Sequence, residues 1–326
     1  MAYDLEFEKP LAELEKKIAG LQRKGNRLKY EEQIQLQEME RELQRRTEEI
    51  YKNLTPWQTV QVSRHKDRPY SLDYIRLICD DFFELHGDRA FGDDHAIVAG
   101  PAKLDDQTVL IVSHQKGRDM KEKQFRNLGM PHPEGYRKAC RLMRQAEKFG
   151  IPIISLIDAS GASPGLGDEE RGQGEAIATS LYLMSRLRVP IIATVIGEGG
   201  SGGALAISVA DRILMLEHSI YTVAAPEAAA IIIWRDSAHA SYAAEGQRIN
   251  ARGLLPLGII DEIVPEPLGG AHRNHRQAAD NLKEALLRNL AEVKQLPMEE
   301  MLEKRYEKFR HIGKFSRLEV PEASQV

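Results

Sequence analysis

The chain has 326 residues, 42% of them apolar and 29% charged, with a formal net charge of -4. Those proportions describe a globular protein with ample core, and the acidic balance speaks against a nucleic-acid site, which needs a basic stripe. The two cysteines, Cys79 and Cys140, exclude a disulfide framework and a four-cysteine zinc site.

Both cysteines sit in helix-like apolar periodicity, as core thiols do, and no metal site is expected in the chain. No apolar run approaches the ~20 residues that cross a bilayer. The opening MAYDLEFEKP lacks the basic-then-apolar layout of a signal peptide. The expectation is therefore a cytoplasmic protein with no membrane contact.

Residues 1–55 are rich in Glu, Lys, Arg, Gln and Leu. Leu11, Leu14, Ile18 and Leu21 follow at spacings of 3, 4 and 3, one helical stripe. Met39, Leu43 and Ile50 resume the pattern after a break at Gly25-Asn26. The spacing predicts a hairpin of two helices, too polar to be a core, packed as an arm on the body or on a second subunit.

From about residue 70 to 290 short β-branched runs alternate with helical ones. Strands are expected at 108–114, 152–158, 190–197, 212–217 and 220–223, and helices at 134–149, 168–188, 201–210 and 226–235. This is α/β order with mostly parallel strands, which places polar loops at strand C-termini, where such folds carry their sites. The expected division is an arm (1–55), a body (56–290) and a helical tail (291–326) whose last stretch, SRLEVPEASQV, frays.

The stretch VIGEGGSGGALAI (195–207) admits three readings. Gly197, Gly199 and Gly202 fit the dinucleotide pattern G-x-G-x-x-G, with Glu217 near the spacing of a ribose-binding acid. Gly199, Ser201 and Gly203 fit the hydrolase elbow G-x-S-x-G, with Asp236 or Asp261 and His272 in the required order. The third reading, which we favour, makes the loop a set of outward-turned backbone amides aided by the dipole of helix 201–210, a preorganised oxyanion pocket. The loop DASGASPGLGDEERGQGEAIA (158–178) has the same layout, with Gly161, Gly165 and Gly167 ahead of a helix. Two such loops suggest a cleft lined by backbone donors, suited to enolate chemistry on an acyl-CoA.

At this point the residues resemble a family. HQKGRDMKEKQFRNLGMPHPEGYRKACRLM (114–143), DEERGQGEAIA (168–178), MSRLRVPIIATVIGEGGSGGALAI (184–207) and LGIIDEIVPEPLGGAHR (257–273) look like the α subunit of bacterial and plastid acetyl-CoA carboxylase carboxyltransferase. The arm with LEFEKPLAELEKKI resembles it too, so the likeness runs over nearly the whole chain.

The resemblance implies an α/β crotonase-like fold, a spiral of ββα units. It implies a β subunit as partner, commonly in a heterotetramer of two α and two β chains. That β chain would carry the zinc ribbon and most of the CoA site. A biotin carboxyl carrier protein would deliver carboxybiotin, loaded by an ATP-using biotin carboxylase. The implied reaction moves the carboxyl group to acetyl-CoA, giving malonyl-CoA for fatty acid synthesis.

In that frame Gly202 and Gly203 are expected to form the backbone oxyanion hole for biotin. Gly199 and Gly200 would allow close approach, and Gly161, Ala162 and Gly165 would line the opposite loop. Lys116, Arg118 and Lys121 lie in a basic segment that would meet CoA phosphates or remain a solvated face. Arg171 is expected to pair within its own helix start.

The chain departs from the family pattern in three places. DASGASPG (158–165) stands where the family carries D-T-P-G-A-Y-P-G, so Ala159 and Ser160 replace Thr-Pro and Ser163 an aromatic. Ala228 stands for a usual Gly, and Gly246-Gln247 for Ala-Met. These changes leave open a scaffold or regulatory paralogue of weakened activity.

Overall fold

The computed structural model describes residues 3–313, so SRLEVPEASQV lies outside the described residues. Helices α1 (Lys9–Gln22) and α2 (Tyr30–Lys52) run against each other. Gln22 pairs with Glu40 near the tip, and Tyr51 donates to Glu8 at 2.6 Å at the base. Helix α3 (Pro56–Ser63) opens on a capping box in which Thr55 and Gln58 bond each other's backbone N–H. Helix α4 (Ser71–Ile78) leads into a hairpin, β1 (Ile97–Leu104) and β2 (Gln107–His114). The sequence reading missed β1, because Gly100 and Pro101 interrupt its apolar run. Gly100 is needed where the Phe83 carbonyl crosses, at 1.9 Å from any added Cβ.

Helices α5 (Met120–Phe125) and α6 (Pro133–Lys148) follow, then the wholly buried strand β3 (Ile153–Ala159). The single helix expected at 168–188 is two, α7 (Leu166–Glu170) and α8 (Gln173–Arg186), broken at Gly172 with φ +83°. Strand β4 (Ile191–Gly200) runs three residues past its expected end, and α9 (Ser201–Leu205) stops well short of residue 210. Ser180 Oγ takes the Ala206 carbonyl at 2.5 Å beyond that stop. Beyond it lie β5 (Arg212–Leu216), β6 (Ile220–Thr222), α10 (Pro226–Trp234), α11 (Ala240–Gln247) and α12 (Ala251–Leu254). Strand β7 (Glu262–Val264) and helices α13 (His275–Lys294) and α14 (Met298–Arg310) complete the described chain.

The strands form one sheet in the order β1-β2-β3-β4-β5-β7, antiparallel only between β1 and β2. Strand β6 pairs with the far end of β4, Glu198 to Gly200, after β5 has left it. One face of the sheet packs under Tyr136, Leu142 and Met143 of α6 and Met184 of α8. The other packs under Tyr74 of α4 and Leu282 and Leu286 of α13. Burying each such side chain is worth roughly 1.5–3 kcal/mol, so both faces fix the sheet that presents the strand ends. The β3–β4 register slips between Ile157↔Val195 and Ala159↔Gly199. Asp158 fills the slip by accepting the Glu198 N–H at 2.9 Å, and its carboxylate lies where a Cβ on Gly197 would be.

Candidate active site

The C-terminal ends of β2, β3 and β4 meet in a buried charge cluster. Lys116 Nζ lies 2.8 Å from Asp158 Oδ1 and 3.1 Å from Glu198 Oε2. Arg64 donates to the other Glu198 oxygen at 2.8 Å and reaches Glu227 at the start of α10. Burial opposes the Lys116 charge, yet Asp158 and Glu198 outweigh it and raise its pKa. Glu198 is likewise held below the usual carboxylate range, because Lys116 and Arg64 overcome its burial. Lys116 thus has its ammonium engaged by two carboxylates, and it ties three strand ends together. Arg118 pairs with Asp73, stacks 4.5 Å over Tyr70 and donates to the Lys66 carbonyl. Lys121 alone of the three is exposed without an ion pair among the described residues.

Above this cluster the two glycine loops touch backbone to backbone. A Cβ on Gly203 would stand 2.4 Å from Ala162 N, and one on Gly200 would stand 2.1 Å from the Ser160 carbonyl. Only glycine permits that approach at these two positions. Gly199 faces the Tyr221 ring, Gly161 stands across from Ser201, and Gly165 caps the approach to Asp168. The close approach expected from Gly199 and Gly200 is thus to neighbouring protein. Gly202 is different: a Cβ there would meet only Ile177, at 3.6 Å. Ser201, Gly202 and Gly203 open α9, where no side chain caps the helix, so their amides have no intrahelical acceptor. A five-residue helix adds little dipole, and the amides remain the main donors.

The side-chain readings of the loop fail on geometry. Gly197 and Gly199 lie inside β4, whereas the dinucleotide pattern needs them in the turn after a strand. Glu217 pairs with Arg252 at 3.0 Å. Ser201 does show an elbow-like φ of +55°, but its hydroxyl makes no hydrogen bond among the described residues. Its supposed partners are engaged elsewhere: His272 stacks on His65, Asp261 pairs with Lys308, and Asp236 caps Ala238 N–H.

An apolar pocket of about 520 Å³ opens beside Ser201 and Gly202, walled by Leu205, Tyr221 and Val223 and closed by Phe309 and Ile312. That volume falls in the range of small-ligand sites. The sequence reading missed this pocket, since its far wall comes from the C-terminal helix α14. Arg305, 1% exposed, pins α14 by donating to the carbonyls of Met184, Leu187 and Val189 and pairing with Asp211 at 2.7 Å.

The departures are accommodated locally. Ser163 is buried and donates to Asp168, whose carboxylate also meets His132 at 2.6 Å and Arg171 at 2.7 Å. Arg171 also pairs with Glu134 at 2.7 Å, so it holds the loop. Ala228 lies within α10 without positive φ, and Gln247 donates to the Ala224 carbonyl at 3.2 Å on the pocket wall.

A family model described as acetyl co-enzyme A carboxylase carboxyltransferase-like matches residues 4–313. The chain is 55% identical to the acetyl-coenzyme A carboxylase carboxyl transferase subunit alpha of Geobacter metallireducens, covering 96% of this chain and 98% of that one. It is 56% identical to the same-named subunit of Methylococcus capsulatus, over 95% and 96%. Among solved structures, a Pseudomonas malonate decarboxylase hetero-tetramer with coenzyme A superposes with a TM-score of 0.55 at 20% identity, over 66% of this chain and 86% of that one. Transcarboxylase 12S, with methylmalonyl-coenzyme A bound, gives 0.54 at 23% identity. The chain covers 43% of its length, and 68% of this chain is matched.

The fold is therefore the α/β crotonase-like fold shared with carboxyltransferases. Within that class the chain belongs to the family of acetyl-CoA carboxylase carboxyltransferase α subunits.

Proposed function

We propose that the chain is the α half of an acetyl-CoA carboxylase carboxyltransferase, active with a β subunit and moving a carboxyl group from carboxybiotin to acetyl-CoA. Release of CO2 from the carboxylated ureido ring is favoured when donors stabilise its developing oxyanion. The amides of Gly202 and Gly203 serve that purpose in our reading. The single observation that carries it is the apolar pocket opening on Gly202, where the α9 amides lack an intrahelical acceptor. The contact of Gly203 with Gly161 and Ala162 holds the donors in place. The fused ring would enter the apolar wall of Leu205 and Tyr221, excluding water from the transfer.

The basic biotin product then takes a proton from the acetyl methyl, and the resulting nucleophile meets the CO2. The thioester hole, the zinc ribbon and most of the CoA site belong to the β subunit in this proposal, with Lys121 the basic residue here best exposed for phosphate. A carrier protein and an ATP-using biotin carboxylase complete the cycle, two α and two β chains form the core, and the complex is cytoplasmic. Among the described residues no helix is long and apolar enough to cross a membrane. The division into arm (1–55), body (56–290) and tail (291–326) is part of the same proposal, supported by the separate pairing of α1 with α2.

The test mixes the chain with a β subunit and follows carboxyl transfer from malonyl-CoA to biotin. Turnover requiring both chains is expected. A stable complex without turnover would reject the reading.

A further inference from the structure

The loop between α4 and β1 carries side chains that the carboxyl-transfer site does not use. His86 Nδ1 lies 2.9 Å from Asp93 Oδ2, and His95 Nδ1 lies 3.6 Å from the same oxygen. Glu84 Oε1 stands 3.8 Å from His86 Nδ1. That oxygen is shielded from solvent and has no hydrogen-bond partner among the described residues, a condition that a bound water or ion relieves. The second Asp93 oxygen is already clamped, by Lys138 Nζ at 2.6 Å and the Gly87 N–H at 2.8 Å. The clamp turns Oδ2 toward both imidazoles, the outer-shell orientation that metal-binding carboxylates show. Phe125 steadies His95 by stacking on it at 4.0 Å with 21° between the rings.

We propose that His86, Asp93 and His95 form a binding site for a divalent transition-metal ion, Zn2+ by the chemistry of the donors, with the fourth position left to solvent. Two imidazoles with carboxylate oxygens and no thiolate suit zinc. Tetrahedral bonds of ~2.1 Å set the ligand atoms roughly 3.4 Å apart. The ligand atoms of His86, Asp93 and His95 lie within 4.8 Å of one another, so small side-chain rotations admit the ion. A second grouping, His132, Glu134 and Asp168, carries no such site. Its carboxylates are taken by Arg137, Arg171 and Ser163. The ion would close the 84–95 loop on itself, and zinc in the complex would then not be confined to the β subunit.

The test titrates the chelator-treated full-length chain with Zn2+ by calorimetry and follows Co2+ substitution by visible absorption. One equivalent is expected, with the intense absorption of tetrahedral cobalt and a melting temperature that rises with zinc. Loss of an outer-shell partner alone costs about 10–100-fold in affinity, so the double variant His86→Ala, His95→Ala should lose at least ~100-fold. His86 and His95 are 55% and 37% exposed at the side chain, so the variant keeps its fold, which circular dichroism checks. His132→Ala should bind as the original chain does. Zinc binding unchanged in the double variant, or abolished by His132→Ala instead, overturns the proposal.

Discussion

Gly202 and Gly203 sit side by side in the sequence and do different work in the fold. Gly202 borders the pocket, and its neighbour Ile177 leaves room for a methyl group at 3.6 Å. Gly203 is pressed on Gly161 and Ala162, so a methyl there forces the loops apart. Gly203→Ala is expected to destabilise by about 1–3 kcal/mol, the usual cost of overpacking. It should slow reverse carboxyl transfer by up to ~100–1000-fold, the loss that follows removal of one oxyanion donor. Gly202→Ala should melt within a degree or so of the original chain, by differential scanning fluorimetry, while changing the rate through the pocket mouth. Ser201→Ala should leave carboxyl transfer nearly intact, and abolished turnover there would restore the nucleophile reading. The sequence made these glycines visible as a cluster. It did not say which side of each faces protein, because that depends on where the 158–165 loop lies.

Among the elements, α14 shows how a tail becomes part of a site. Nothing in its own amphipathic pattern announces the pocket, yet Phe309, with Ile312 just beyond the helix, lines it together with Gly202. Arg305 fixes that placement through backbone carbonyls at the end of α8 and the Asp211 carboxylate. Removing one partner of a buried ion pair costs about 3–5 kcal/mol. Arg305→Ala is therefore expected to lose that much in chemical denaturation and to expose α14 to hydrogen exchange. Transfer should fall with it although the glycine loops are untouched. Lys116→Met should be comparably costly, since Asp158 and Glu198 would be left facing each other. The helix split at Gly172 and the strand at 97–104 were illegible for a related reason. Each depends on a neighbour: Gly172 on a turn between α7 and α8, Gly100 on the crossing Phe83 carbonyl.

For the whole molecule, the cores on the two sheet faces set how it responds to acid. His114 ends β2 with both ring nitrogens buried, and burial, with Lys116 adding, lowers its pKa to about 3. The folded form thus refuses a proton that the unfolded chain accepts near 6.5. Stability from this group is complete above pH 6.5 and is lost as pH falls toward 3, with a slope of up to ~1.4 kcal/mol per pH unit. Denaturation midpoints at pH 7 and pH 5 should differ accordingly, and His114→Gln should flatten the difference by one proton.

The sequence by itself determined the α/β order, the polar arm, the glycine loops and, through long blocks of likeness, the family. Those features are written in local periodicity and contiguous residues. Only the tertiary structure decided that Lys116 ties strand ends together, that Gly203 is pressed on Gly161 and Ala162, and that α14 walls the pocket. Each of these rests on which distant surfaces meet, and packing between sheet faces and strand ends, not local preference, selects those partners.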